Sequence, residues 1–332
     1  MSINLNRVQN LIEKLAFISS VPNELTRLAF TEEDEKAHNM IIELCKEYDL
    51  SIRRDSIGNL FIRKAGKEDF LPAVAFGSHI DTVVNAGKFD GPLGSVAGLE
   101  ILLQLCEQNI QTRYPLELII FTCEESSRFN FATLGSKVMC GIVNQEKLSS
   151  LRDKQGKGLS EAMAEVGMNF NLVDQAKRDA KEFKCFFELH IEQGPRLENE
   201  GKTIGVVTGI AAPIRAIVKI KGQADHSGAT AMHYRHDALL GGAELSLAIE
   251  QAAIQAGHST VATVGNITAK TTVQTPGQPN VESELSPIKV ATKIAETEKP
   301  GKIEIDRKPN GDAIVTPKKP DGTTYPSGSK VE

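Results

Sequence analysis

Residues 77–98 read Gly-Ser-His-Ile-Asp-Thr-Val-Val-Asn-Ala-Gly-Lys-Phe-Asp-Gly-Pro-Leu-Gly-Ser-Val-Ala-Gly, and place His79, Asp81 and Asp90 within a dozen positions. Neutral imidazole and carboxylate suit a zinc-like or manganese-like ion, and a carboxylate on a tight loop can bridge two ions because each oxygen can bind one. Asp81 lies two residues from His79 on the same side of an extended strand, so it is placed to hold that ring in the metal-binding tautomer. One His or Asp at a strand end is ordinarily a satisfied polar residue at the rim of a core. The pattern recurs, however. Glu124-Glu125 follows a β-rich apolar run at 116–122, and a third run, Lys184-Cys-Phe-Phe-Glu-Leu-His190-Ile-Glu192-Gln193-Gly194-Pro195, alternates so that His190 and Glu192 share a face. Open α/β sheets place ligands outside the carboxyl ends of their strands. Three strands ending in metal-competent residues describe one cleft.

The elements that must position these groups are legible nearby. Residues 5–18 carry apolar side chains at Leu5, Val8, Ile12 and Leu15, a helical period. Thr31 is placed to cap a second helix with acidic residues in its first turn and an apolar face of Ala37, Ile41, Leu44 and Tyr48. Strands are expected at 51–54 and 60–63, with Gly58-Asn59 in the turn between them. The run 73–76 delivers His79 to a strand end, and 95–108 reads as a helix.

At 332 residues the chain has room for two domains, and 40% hydrophobic with 24% charged residues is ordinary for a globular protein. A net charge of -5 and no basic stripe interleaved with aromatics argue against nucleic acid as a partner. No apolar run of membrane-spanning length and no leader-like N-terminus occur, so a cytoplasmic location without a membrane partner is expected. Five cysteines, Cys45, Cys106, Cys123, Cys140 and Cys185, are odd in number, widely spaced and set among apolar residues, and read as small core residues. Cys123 adjoins Glu124 and Glu125, whose charges disfavour a thiolate.

Strands are expected at 204–207, 214–221 and 261–267, a loop at Asp225-His226-Ser227-Gly228-Ala229-Thr230, and a helix over about 237–256. From Thr268 on the chain holds eight of its fourteen prolines, no Phe, no His and one Leu, Leu285. Such a segment cannot bury much apolar surface and reads as a poorly packed tail, with short β-hairpins expected at Pro309-Asn310-Gly311 and Pro320-Asp321-Gly322, where the turn chemistry is good.

With these motifs in place, the sequence resembles the dinuclear metal-dependent amidohydrolases that include N-carbamoyl-L-amino-acid hydrolases and allantoate amidohydrolases. The likeness rests on the His79 to Asp90 spacing, Glu124-Glu125 followed by Ser-Ser-Arg-Phe, His190-Ile-Glu-Gln-Gly, and His226-Ser-Gly-Ala-Thr with Arg235 and Asp237; it runs to about Ala269. It implies an α/β, mixed-sheet metallohydrolase (phosphorylase/hydrolase-like) catalytic domain over 1–210, a partial inserted α+β lid or dimerisation domain over 211–269, and a divergent tail over 270–332. It also implies two divalent ions, zinc or manganese, cobalt or nickel. His79 and His190 would bind one, Asp90 would bridge, Glu125 would bind the second, Glu124 would be the general base and Asp81 would support His79. His226 would hydrogen-bond the oxyanion, reaching across a homodimer interface. Gln193 and Arg235 would be substrate-side groups, and pairing with Asp237 remains open for Arg235. The substrate expected is a small carbamoyl or ureide compound whose terminal C–N bond is hydrolysed to ammonia and carbon dioxide. Ile210-Ala-Ala-Pro-Ile214 resembles the carbamoyl-amino-acid enzymes more than the allantoate ones.

Two departures qualify the resemblance. The family supplies a further His ligand after the lid, whereas the last histidine here is His258. The lid match also stops near Lys270; Pro276-Gly277 and Asn280-Val281 keep its later pattern only faintly, and Asp306-Arg307 has the wrong spacing. A truncated, weakly active or inactive homologue with a partial metal site, acting as a binding module, is therefore the reading from another class.

Overall fold

A computed structural model describes residues 2–210, 214, 216–226, 228–257 and 260–268, together with the backbone of five short strands beyond them. The chain divides into two compact units, Met1–Thr203 and Ile204–Glu332. That division falls a few residues before the boundary expected at 210.

In the first unit, α1 (Leu5–Phe17) and α2 (Glu32–Cys45) form where the apolar period and caps place them. Asn4 accepts from the Arg7 amide, and Thr31 Oγ1 accepts from the Asp34 amide ahead of Glu32, Glu33, Asp34 and Glu35 in the first turn. Strands β1 (Ser51–Arg54) and β2 (Leu60–Lys64) pair antiparallel. The turn between them is organised by Asp55, whose Oδ1 accepts the amides of Ile57, Gly58 and Asn59. Strands β3 (Ala73–His79), β4 (Leu116–Phe121) and β5 (Phe183–Phe187) complete a five-stranded mixed sheet of order β1-β2-β4-β3-β5. β3 runs parallel to both β4 and β5, and His79 lies level with Phe121. Their carboxyl ends therefore open on the same edge of the sheet.

One face of the sheet packs Leu60, Ile62, Leu118 and Ile120 against Leu11, Ile12 and Leu15 of α1, Ala37 and Ile41 of α2, and Leu99, Leu102 and Leu103 of α3 (Pro92–Glu107). The other face packs Phe61, Ala75, Ile119 and Phe121 with Met139 of α4 (Leu134–Met139). A separate cluster joins Phe30, Ile57, Cys123 and Phe129 to Leu148 of α5 (Gln145–Leu148) and Leu159, Ala162 and Met163 of α6 (Leu159–Glu165). α3 begins three residues before the expected Ser95, because Pro92 has its φ already set for a first helical turn and Gly91 adopts φ 88° ahead of it.

Several expectations are corrected. β5 ends at Phe187, so His190 and Glu192 do not project from one strand face as the alternation predicts. Glu192 instead accepts from the amides of Arg196 and Leu197 and ties down the start of α7 (Arg196–Asn199), using its carboxylate on main-chain donors. Cysteine burial is uneven: Cys45 and Cys123 are buried, Cys106 and Cys185 are half-buried, and Cys140 is exposed at the C-cap of α4.

In the second unit the described part of 204–226 contains no strand, and Val206 and Ile217 are 89% and 91% exposed. Alternation supplies one apolar face, but a strand exists only where a neighbour takes its N–H and C=O groups. α8 (Ala238–Ala256) forms as expected, with Asp237 Oδ1 accepting the amides of Leu239 and Leu240. Of the strand expected over 261–267, β6 (Asn266–Ile267) forms, with Val261 in an isolated bridge. Beyond it lie β7 (Lys270–Val273), β8 (Val281–Glu284), β9 (Ile288–Lys289), β10 (Lys302–Arg307) and β11 (Ala313–Lys318), paired antiparallel as β6 with β9, β7 with β8 and β10 with β11. The turns foreseen at 309–311 and 320–322, His258, Ser227, Pro276 and Gly277 lie outside the described residues. Among the described residues no helix is long and apolar enough to cross a membrane.

Candidate metal centre

β3 carries His79 to the sheet edge with its side chain 2% exposed. Its Nδ1 sits 2.8 Å from the main-chain oxygen of Asp81 and donates to it, which leaves Nε2 as the nitrogen able to bind an ion. The ring is oriented by that main-chain oxygen, since Asp81 Oδ1 stands 3.7 Å away. The Asp81 carboxylate does something the sequence reading did not foresee. Its two oxygens accept the amides of Glu124 at 3.1 Å and Glu125 at 3.0 Å, joining the end of β3 to the end of β4.

The end of β4 is shaped for this. Cys123 takes φ 49°, a left-handed conformation that turns the chain out of the strand. Asn59 accepts the Thr122 amide and donates to the Gly135 oxygen, and the Thr133 amide donates to the Glu124 oxygen. Asn59 was visible in sequence only as a turn residue. Burial, more than the neighbouring carboxylates Asp81 and Asp34, pushes the Cys123 thiol well above its usual range, so it is no nucleophile.

Asp90 sits on the loop between β3 and α3, and the glycine that follows it is required. A Cβ on Gly91 would lie 2.4 Å from the His79 ring, and its φ is +88°. Gly94 is equally constrained, since a Cβ there would lie 2.2 Å from the Leu189 oxygen. α3 thereby passes close under the segment after β5. His190 on that segment places Nε2 3.5 Å from Asp90 Oδ1, its Nδ1 turned to the Ile191 oxygen at 3.0 Å. The His79 and His190 rings stack with centroids 6.1 Å apart. Gln193 donates from Nε2 to both Asp90 oxygens at 2.6 Å.

Two ligand groups result, each with donor atoms within 4.8 Å of one another: His79, Asp90 and His190, and His79, Glu124 and Glu125. His79 Nε2 lies 3.6 Å from Glu124 Oε2, and one nitrogen lone pair can serve one ion only. The carboxylates crowd one another. Burial, reinforced by Glu124, Asp81 and Asp90 against the pull of His79, pushes Glu125 up to about 7. Burial likewise pushes Asp81 up to about 6, with Asp34 adding to it and His79 opposing. For His79, burial opposes the charged ring but Asp81 and Glu124 outweigh it, so its pKa is raised. Imidazoles and carboxylates that repel one another in a half-buried cleft are a donor set that fits divalent cations.

His226 and Arg235 belong to the second unit. His226 Nδ1 accepts the amides of Gly228 and Ala229 at 3.1 and 3.0 Å, which leaves the proton on Nε2. Arg235 donates from Nε to the Thr230 oxygen, while Asp237 caps α8.

Comparison with known proteins accords with this geometry. The chain is similar to an "uncharacterized hydrolase" of Haemophilus influenzae, 96% identical over 281 residues that cover 85% of this chain and 67% of that protein. It is 41% identical to an N-carbamoyl-L-amino acid amidohydrolase of Geobacillus stearothermophilus, covering 73% of this chain and 59% of that one. A solved hydantoinase/carbamoylase family amidase from Burkholderia ambifaria superposes with a TM-score of 0.62 at 32% identity, covering 81% of this chain and 63% of that one. The chain thus spans roughly three-fifths to two-thirds of the length of the proteins it matches. The model of Peptidase family M20/M25/M40 matches residues 75–321, from the strand bearing His79 onward, and the chain belongs to that family.

Proposed function

We propose that this protein hydrolyses the terminal C–N bond of N-carbamoyl-L-amino acids or related ureides, with allantoate as the alternative substrate. The observation that carries the reading is the convergence of His79, Asp90, Glu124, Glu125 and His190 at the carboxyl ends of parallel strands, with donor atoms of each group within 4.8 Å. His79 and His190 would hold one ion with Asp90, and Glu125 a second that shares Asp90. A pair of zinc or manganese ions supplies the Lewis acidity that makes water acidic at neutral pH and polarises the carbonyl. Glu124 stands in the second ligand group; left off both ions in this arrangement, it would be free to take a proton from water and return it to the departing nitrogen. Asp81 holds Glu124 by its amide, which aims that carboxylate without engaging it. Gln193 is a polar group at the mouth of the site, available to the substrate once its amide leaves Asp90. The His226 tautomer, with its proton on Nε2, suits a donor to the oxyanion, and Arg235 suits an anionic substrate group.

A second reading is a site that holds a single ion, and the sharing of His79 by both ligand groups favours it. Elemental analysis of chelator-free protein reloaded with zinc or manganese separates the two. About two ions per chain, with ammonia released from N-carbamoyl amino acids or allantoate, is the expected result. One ion without ammonia release establishes the second reading, and no ion removes the catalytic one.

A further inference from the structure

Arg27 is fully buried, and the acceptors of its guanidinium are main-chain carbonyls. Nε and Nη2 both donate to the Ile80 oxygen, at 2.9 and 2.7 Å, while Nη1 donates to the oxygens of Leu15 and Ile18 at the C-terminal end of α1. Ile80 stands between His79, whose Nε2 faces the candidate ions, and Asp81, whose carboxylate holds the amides of Glu124 and Glu125. The backbone of the same segment is lashed to the loop beyond. Arg27 N donates to Thr82 Oγ1 at 2.8 Å, Thr82 N to the Arg27 oxygen at 2.8 Å, Asn85 N to Thr26 Oγ1 at 2.9 Å and Ala86 N to the Leu25 oxygen at 2.8 Å.

We infer that Arg27 is a positioning residue of the metal centre, which fixes the Ile80 carbonyl and through it the relative placement of His79 and Asp81. The inference rests on the metal-binding reading above. A guanidinium suits the task because its planar fork serves three carbonyls at once, whereas an ammonium is a point donor on a flexible stem. The two donors on one carbonyl fix its direction as well as its distance. A peptide so held resists rotation, and the next peptide, 81–82, which carries the Asp81 oxygen that His79 Nδ1 reaches, is held on its N–H side by the Arg27 oxygen. The acceptors on α1 lie at its negative end, so the helix supplies part of the compensation a buried cation needs.

The competing role is a staple that joins α1 to the sheet and affects stability alone. Arg27→Lys keeps the charge and loses the fork. Leu148→Ala loosens α5 in the separate apolar cluster, which holds none of residues 79–82, and serves as the stability control. Zinc affinity of the full chain is read by competition with a chromophoric chelator, at a temperature where circular dichroism shows each variant folded. The expected result is a loss of about tenfold or more in affinity for Arg27→Lys, with Leu148→Ala unchanged at a comparable drop in Tm. Equal affinity in wild type and Arg27→Lys overturns the inference and leaves the metal site standing. A wild type that binds no zinc overturns both. Should Arg27→Lys fail to fold, Arg27→Gln, whose single amide cannot serve three carbonyls at once, takes its place. A weakened affinity for that variant supports the inference, and an unchanged one overturns it.

Discussion

At the scale of single residues, the site depends on which atoms are already committed. His79 presents Nε2 because Nδ1 is spent on the Asp81 oxygen, and Glu124 and Glu125 are adjacent yet separately directed because one carboxylate holds both their amides. Asp81→Asn tests this division of labour. The amide offers one acceptor where the carboxylate offers two, so either Glu124 or Glu125 loses its tether and faces an N–H instead. Zinc affinity measured by chelator competition is expected to fall about 10-fold to 100-fold, with the helical content of the chain retained. The metal-competent residue types were legible in the sequence, because His and Asp or Glu at successive strand ends form a pattern. The partners Asn59 and Arg27 were not, since a polar residue in a turn and an isolated arginine carry no period that would announce a buried role. Glu192 misled for the complementary reason: its place in an alternating run pointed to the cleft, while a nearby helix start offered its carboxylate two main-chain donors.

At the scale of elements, the approach of α3 to the sheet edge is set by its glycines. Gly91→Ala forces a methyl group into the His79 ring and an L residue into φ near +88°. The combined strain and overpacking should cost about 3 kcal/mol of stability, measurable as a lowered urea midpoint, and the zinc affinity of the folded fraction should fall with it. A midpoint and affinity equal to wild type would show that the loop relaxes freely. Helices α1, α2 and α8 and strands β1 to β4 lie close to where periodicity and caps place them, because each carries its own apolar stripe and start signal. The described part of 204–226 does not follow suit. The alternation over 214–221 offers an apolar face, but a strand is a property of a pair, and the sequence of one partner says nothing about where the other lies.

At the scale of the whole chain, the first unit has the mixed sheet, covered on both faces, that a metal centre at strand ends requires, and this was readable from the order of apolar runs. Around the hairpin expected at 309–311, β10 and β11 pair antiparallel, whereas the pairing of β6 with β9 across the boundary expected at 269 could not be read. Low complexity and high proline content argue against a core, yet they do not forbid short antiparallel ladders, whose main-chain bonds need no apolar side chains. The match of the family model to residue 321 extends past the point where the motif likeness ends. Motifs mark chemistry, and chemistry is concentrated in fewer positions than ancestry.

The five thiols have a practical consequence. Cys140 is open to solvent, Cys106 and Cys185 are half-covered, and Cys45 and Cys123 are enclosed, with burial pushing Cys45 up to about 12 and Cys123 well above the usual thiol range. Together they form a graded set of chemical clocks distributed along the first unit. A coloured disulfide reagent added to the native chain should consume one thiol quickly, two slowly, and the last two only as fast as the protein opens. Because Cys45 lies in the core between α2 and the sheet while Cys123 lies in the separate cluster beside Glu124 and Glu125, the two slowest signals time the opening of different regions. If both release together, the unit yields as one body; if Cys123 leads, the cleft loosens while the helical face is still closed.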